Sequence, residues 1–330
     1  MLNTEKLSIT FREKTIDKSQ KKIRFANLKG SDQESDLTVP PNCDGYGRIR
    51  HFRRETSAGW VENPLPIDPA LNSLNLPKTN VIRAQVFQTS TCNWRCWYCY
   101  VPFNLLSGDP DRSSWLTVSE LIDLYLEEPD PPVVLDLSGG QPDLVPEWVP
   151  WMMKEIKRRG LQDKVYLWSD DNLSNNYFWE YLSEEEIQLI IDYKNYGRVG
   201  CFKGFDSESF TFNTNANPDL YKQQFTLMKR LINLGIDMYA YATFTSFNDD
   251  RLEYKMNSFI DNLQNIHTNL PLRTVPLEIV PFTPTRPRMN NDHERSLLIQ
   301  EKAIELWRKE IEKRFPSYLR SMNVSAIDLS

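Results

Sequence analysis

Three cysteines, Cys92, Cys96 and Cys99, fall within the stretch TSTCNWRCWYCYVPF (residues 89–103) of a chain that has only five. A thiolate is both a nucleophile and a soft metal ligand. An odd, clustered set spaced C-x3-C-x2-C does not suit a disulfide framework and points to metal binding or catalysis. A structural zinc ion wants four ligands, and the other candidates, Cys43, Cys201, His51, His267 and His293, are all distant in sequence. Three thiolates suit an iron–sulfur cluster, which would keep one iron open to a further ligand. Three structural thiols in a loop are the plainer alternative.

Four other stretches carry polar residues of interest: SGGQP (138–142), LWSDDN (167–172), CFKGFD (201–206) and LEIVPF (277–282). Gly is scarce, 12 in 330 residues, so the adjacent Gly139 and Gly140 imply a backbone reason: a tight turn or close approach to a ligand. Ser169, Asp170 and Lys203 are candidate ligand contacts. Helix capping is the ordinary role for Asp171 or Asn172, and a surface salt bridge is the ordinary role for Lys203. Cys201 reads first as a buried structural thiol, with a radical or hydrogen-atom donor as the reactive alternative. Cys43 offers less.

Six strands are predicted to position these residues: 81–88, 133–140, 164–171, 198–205, 237–246 and 274–282. Helical patterns alternate with them. Thr117 can cap the helix after the cysteine loop, Asp249 a later one, and YFWEYLSEEEIQLIIDYK (177–194) reads as one helix. Strands joined by helical crossovers imply a parallel sheet. About 200 residues for six β/α units are too few for a closed eightfold barrel. The expected fold is therefore α/β, a partial (β/α)6 barrel, three-quarter TIM-like, with an irregular N-terminal extension. The expected organisation is an extension (1–80) contacting substrate or a partner, a core (81–283), and a C-terminal helix and tail (284–330). Ligands of such sheets bind at the carboxyl ends of the strands. The cysteine loop, Gly139–Gly140, Ser169–Asp171 and Lys203 all fall there.

With that placement, the C-x3-C-x-aromatic-C loop after the first strand resembles the signature of the radical S-adenosylmethionine (SAM) enzymes, over about residues 81–283. The resemblance implies a [4Fe–4S] cluster on Cys92, Cys96 and Cys99. Its fourth iron would chelate SAM, and an external one-electron reductant of flavodoxin or ferredoxin type would drive cleavage of SAM to a hydrogen-abstracting 5′-deoxyadenosyl radical. It further implies Tyr98 near the adenine and Gly139, Gly140 and Gln141 near the SAM amino group. Ser169 and Asp170 would meet the ribose hydroxyls, Lys203 the SAM carboxylate, and Ile279 and Val280 the adenine. Gln141 departs from the family, where Glu is usual; it keeps an acceptor but loses the charge. Trp94 and Trp97 flank the thiols and would shield a cluster from solvent.

The charge distribution bears on the substrate. Residues 1–60 carry 12 Lys+Arg and 8 Asp+Glu, a net of +4, while the remainder sums to −10. The basic runs KSQKKIR (18–24) and RIRHFRRE (48–55) read as a solvated arm or as contacts for an anionic partner. The substrate expected is a small molecule, a nucleotide or RNA. Two alternatives are an activase making a glycyl radical on a partner protein, which the similarity of CFKGFD to activases suggests, and a non-catalytic cluster protein binding nucleic acid. No apolar run approaches a membrane span and the start shows no secretory pattern, so the chain reads as cytoplasmic.

Overall fold

The computed structural model describes residues 1–330. Ten strands form two sheets: β1 Ile16–Asp17, β2 Lys22–Ala26, β3 Gly47–Arg53, β4 Val81–Phe87, β5 Ser113–Thr117, β6 Val134–Leu137, β7 Tyr166–Asp171, β8 Tyr196–Phe202, β9 Met238–Thr243 and β10 Thr274–Leu277. The large sheet runs β10-β9-β8-β7-β6-β4-β3. Its pairings from β4 to β10 are parallel, and only β3 is antiparallel, against β4. Six parallel strands alternating with helices curl into the expected partial barrel.

Alternation along the strands separates two cores. Leu135, Leu137, Leu167, Met238, Ala240 and Ala242 face the helices and join the larger core. Val134, Tyr166, Trp168, Val199, Cys201, Tyr239 and Tyr241 point the other way and fill the barrel interior with Phe52, Ile82 and Ala84. Strands buried on both faces read as near-continuous apolar runs, which is why these six are visible in the sequence.

The first 80 residues are more ordered than their composition suggests. A helix, Thr4–Thr15, starts at an Asn3 cap. Arg12 anchors it by donating to Leu144 O (2.9 Å) and to Glu147. The basic run after it forms β2, which pairs with β1 and β5 in a small antiparallel sheet. The second basic run is β3, an edge strand of the barrel itself, registered Arg48↔Val86, Arg50↔Ala84 and Phe52↔Ile82.

Three local expectations change. The stretch 177–194 splits into helices Tyr177–Tyr181 and Glu184–Asp192, because Ser183 and Glu186 form a capping box that starts a new helix. Asp249 does not cap the helix Leu252–Ile266; its carboxylate pairs with Lys302 at 2.7 Å, and the helix begins after Arg251 in the left-handed conformation. A further helix, Ser207–Thr214, follows β8 behind an Asp206 cap. Thr117 caps the helix Val118–Leu126 as expected. No helix is long and apolar enough to cross a membrane.

Candidate functional site

The cysteine loop leaves the carboxyl end of β4 and is held in place mainly through its backbone. Cys92 N donates to Leu106 O (3.2 Å) and Cys99 N to Cys96 O (3.0 Å). Arg95 donates to Cys92 O and Trp94 O (2.5 and 2.9 Å), and Arg288 to Cys99 O and Val101 O (2.7 and 3.0 Å). Carbonyls fixed in this way fix the thiols that hang between them. Trp94 packs with Cys92 and Cys96, and Trp97 and Tyr98 pack with Cys96 and Ile279. Trp97 donates to Asn213 Oδ1 (3.1 Å) and stacks on His293 with ring centroids 4.6 Å apart. All five cysteines are free thiols.

Burial pushes the Cys92 thiol up and the Cys96 thiol to about 12, and Lys203 pulls both the other way. Arg288 faces Cys99 and Cys96, and Arg95 faces Cys92. Three cations thus surround three thiols. No three His, Cys, Asp or Glu side chains form a group able to hold a metal ion as they stand.

Beside the loop, the barrel interior turns from apolar to polar toward the carboxyl ends of the strands. Asp136 on β6 and Asp170 on β7 lie on the inward face shared with Val134, Trp168 and Cys201. Neither Asp136 oxygen has a hydrogen-bond partner, nor does Asp170 Oδ1 or Ser138 Oγ. Burial raises the Asp170 carboxyl to about 7, helped by Asp136 and opposed by Arg50, Lys203 and Arg48. Burial likewise raises Asp136 against Arg50 and Arg48. The Lys203 ammonium faces Cys201, Tyr98, Cys96 and Asp170; burial works against its charge, yet those groups hold it well above the ordinary lysine value. Cys201 is buried among these residues, its thiol pushed up to about 12 by that burial.

The strand period divides the sequence-derived candidates. Asp170, Lys203, Cys201, Tyr98 and Ile279 gather with the thiols around the polar chamber. Tyr98 reaches Thr243 Oγ1 (3.0 Å), and Gln300 holds both backbone groups of Ile279 (3.0 and 2.7 Å). Val280 is exposed. Ser169 points outward to the helix layer and bonds Tyr196 (2.7 Å). Gln141 is committed at both ends: its amide donates to Asp171 Oδ1 (2.9 Å) and its oxygen accepts from Asn172 N (3.0 Å). Asp171 in turn pairs with buried Arg198 (2.8 Å), which also holds Asp143. Gly139 and Gly140 both have positive φ, +89° and +68°, and a Cβ on Gly140 would lie 2.5 Å from Thr89 O and 2.7 Å from Thr91 O. Their freedom serves the close approach of the turn to the cysteine loop, where Gln141 N also donates to Thr91 O (2.7 Å).

Arg48, Arg50 and Asp136 line the chamber without having been singled out from the sequence. Their signals are visible there. A lone acid inside the apolar run VVLDL and arginines at every second position before Phe52 both mark one inward face.

No protein-family model and no curated protein sequence matches the chain. Among solved structures it is similar to SuiB of Streptococcus suis bound to its precursor peptide SuiA, at 14% identity over 58% of this chain and 39% of that chain, with a TM-score of 0.39. For SuiB bound to S-adenosylmethionine the values are 14%, 54%, 37% and 0.39, and for a further SuiB structure 15%, 58%, 40% and 0.38. The match spans about two-fifths of the SuiB chain.

Proposed function

We propose that the chain is a radical SAM enzyme acting on a small molecule inside its half-barrel. The observation that carries this reading is the three-thiol loop at the carboxyl end of β4, ringed by Arg95, Lys203 and Arg288 and opening beside a buried polar chamber. A reduced [4Fe–4S] cluster on Cys92, Cys96 and Cys99, with SAM on its open iron, would supply a 5′-deoxyadenosyl radical that abstracts hydrogen from the substrate.

The chain's own residues suit that task. Three thiols on one loop, facing one set of cations, fit a multi-iron group with thiolate ligands. Lys203 is placed to meet a carboxylate, and the unpartnered Asp170 oxygen to accept from a hydroxyl or ammonium. Tyr98 and Ile279 offer an apolar wall for a flat ring. Trp94 and Trp97 pack against the thiols and cover part of them, leaving all three cysteines partly exposed. The resemblance implies that the electron would come from an external one-electron donor.

Two observations favour a small substrate over RNA or a loop of a partner protein. The N-terminal segment crosses the mouth: Gln33 donates to Gln88 (3.2 Å), and Thr283 donates from N and Oγ1 to Asp36 (2.9 and 2.8 Å). In the basic run 48–55, Arg48 is buried in the barrel and Arg50 lies on the same inward face, partly covered.

The test is anaerobic reconstitution with iron and sulfide, addition of SAM and a strong reductant, and mass-spectrometric detection of 5′-deoxyadenosine. Wild-type protein should form it and Cys96→Ala should form none. Zinc in place of iron, or 5′-deoxyadenosine that survives replacement of each cysteine, would overturn the reading.

A further inference from the structure

β3 is an addition to the parallel sheet, and its side chains alternate. Phe52 packs into the interior with Ile82 and Ala84, so Arg50 and Arg48, two and four residues before it, enter the barrel on the same face. Arg48 is 5% exposed. Its guanidinium lies 4.9 Å from the centre of the Tyr100 ring, and its Nε has no acceptor. Arg50 lies 4.0 Å from the centre of the Phe52 ring, and its nearest carboxylate, Asp136, is 3.8 Å away, beyond hydrogen-bond reach. Two guanidinium groups therefore stand on one face of one strand, Arg48 buried and Arg50 with its side chain 32% exposed, each over an aromatic ring and with no carboxylate within hydrogen-bonding distance.

A fixed, planar guanidinium is the side chain best matched to the two oxygens of a carboxylate or phosphate. Resting on the reading of the site given above, we infer that Arg48 and Arg50 are the anion-binding end of the substrate chamber, and that the substrate carries a carboxylate or phosphate group seated there. The pair stands four strands from Lys203 in the sheet order β8-β7-β6-β4-β3. The chamber thus has two separate cationic poles, one beside the thiols and one at the added strand. Asp136, between the arginines and the rest of the chamber, opposes an anion and sets how tightly it is held. A substrate with its anionic end on β3 would extend from there toward the thiols.

The test is calorimetric titration of the full-length protein with inorganic phosphate and, separately, with acetate, at fixed ionic strength. Saturable binding of at least one is expected, weakened roughly tenfold or more in Arg48→Gln and Arg50→Gln. Asp136→Asn, which removes the opposing charge without shrinking the side chain, should tighten it. Phosphate alone binding would identify a phosphorylated substrate, and acetate alone a carboxylic acid. If neither anion binds, or if Arg50→Gln and Asp136→Asn both bind as wild type does, the inference fails. Should the arginine variants not fold, affinity unchanged or weakened in Asp136→Asn overturns it by itself. 5′-Deoxyadenosine formation, measured on the same wild-type preparation, reports separately on the enzyme reading. Its presence without anion binding sinks only the arginine site, and anion binding without it sinks only the radical chemistry.

Discussion

At the residue scale, Asp170 connects the chamber to a measurable pH dependence. Its carboxyl is raised from 3.8 to about 7, first by burial and then by Asp136, against Arg50, Lys203 and Arg48. An unfolded aspartate titrates near 3.9, so between roughly pH 4 and pH 7 the folded state binds the extra proton. Stability contributed by that proton is complete at the acid end and is lost as pH rises through 7. Each pKa unit corresponds to about 1.4 kcal/mol. Asp170→Asn keeps the shape without the charge, so in metal-free protein its Tm relative to wild type should rise from pH 5 to pH 8. A difference in Tm that stays constant across that range would show that the carboxyl does not titrate there. Ser169, next in the chain, belongs to the opposite face and its replacement should leave this profile alone. The period of two that separates these neighbours is legible in YLWSDD once Tyr166 and Trp168 are taken as the inward pair. LWSDDN by itself offers two adjacent polar residues and no way to choose between them.

At the element scale, the turn after β6 shows a motif legible in place whose tertiary contacts local spacing does not reveal. SGGQP is visible in the sequence because two glycines stand together in a Gly-poor chain, and they do sit at the strand end beside the thiols. Their positive φ values bring the turn against residues 89–91, and Gln141 uses both ends of its amide to tie β6 to β7. None of these tertiary approaches is encoded in local spacing. Gly140→Ala should therefore cost about 2 kcal/mol or more, combining left-handed strain with a clash against Thr89 O. Gly160→Ala, where φ is +66° and nothing lies within 4 Å of the added Cβ, should cost only the strain, about 1 kcal/mol. Denaturant titration of both variants measures the difference. Iron bound after reconstitution should fall in Gly140→Ala alone, because only that turn carries the cysteine loop. Equal costs and equal iron would mean that the turn relaxes freely and does not position the thiols.

At the scale of the whole molecule, the N-terminal 80 residues are a structural part of the barrel. They escape sequence reading for a physical reason. β3 is an edge strand with charged residues on its inward face, so it lacks the apolar run that marks the six parallel strands. β1 and β2 are too short for a periodic pattern. Yet β3 pairs with β4 along all seven of its residues, Phe52 completes the inner core, and Leu65, Ile67 and Ala70 lie buried in the same cluster. Arg12 holds buried Glu147 from the first helix. A chain beginning at Asn80 would expose the β4 edge, open the apolar inner face and leave Glu147 without Arg12. Unpaired edges and exposed apolar faces promote association. Such a chain is expected to elute as aggregates and to bind a dye specific for exposed apolar surface, where the full-length chain does neither. A monomeric, dye-silent chain from Asn80 that still took up iron would mean that the core is autonomous and the extension only an accessory. If the extension is integral, β3 supplies both the missing edge of the sheet and the arginines inside it, so the substrate's anionic site cannot form unless the barrel itself has folded.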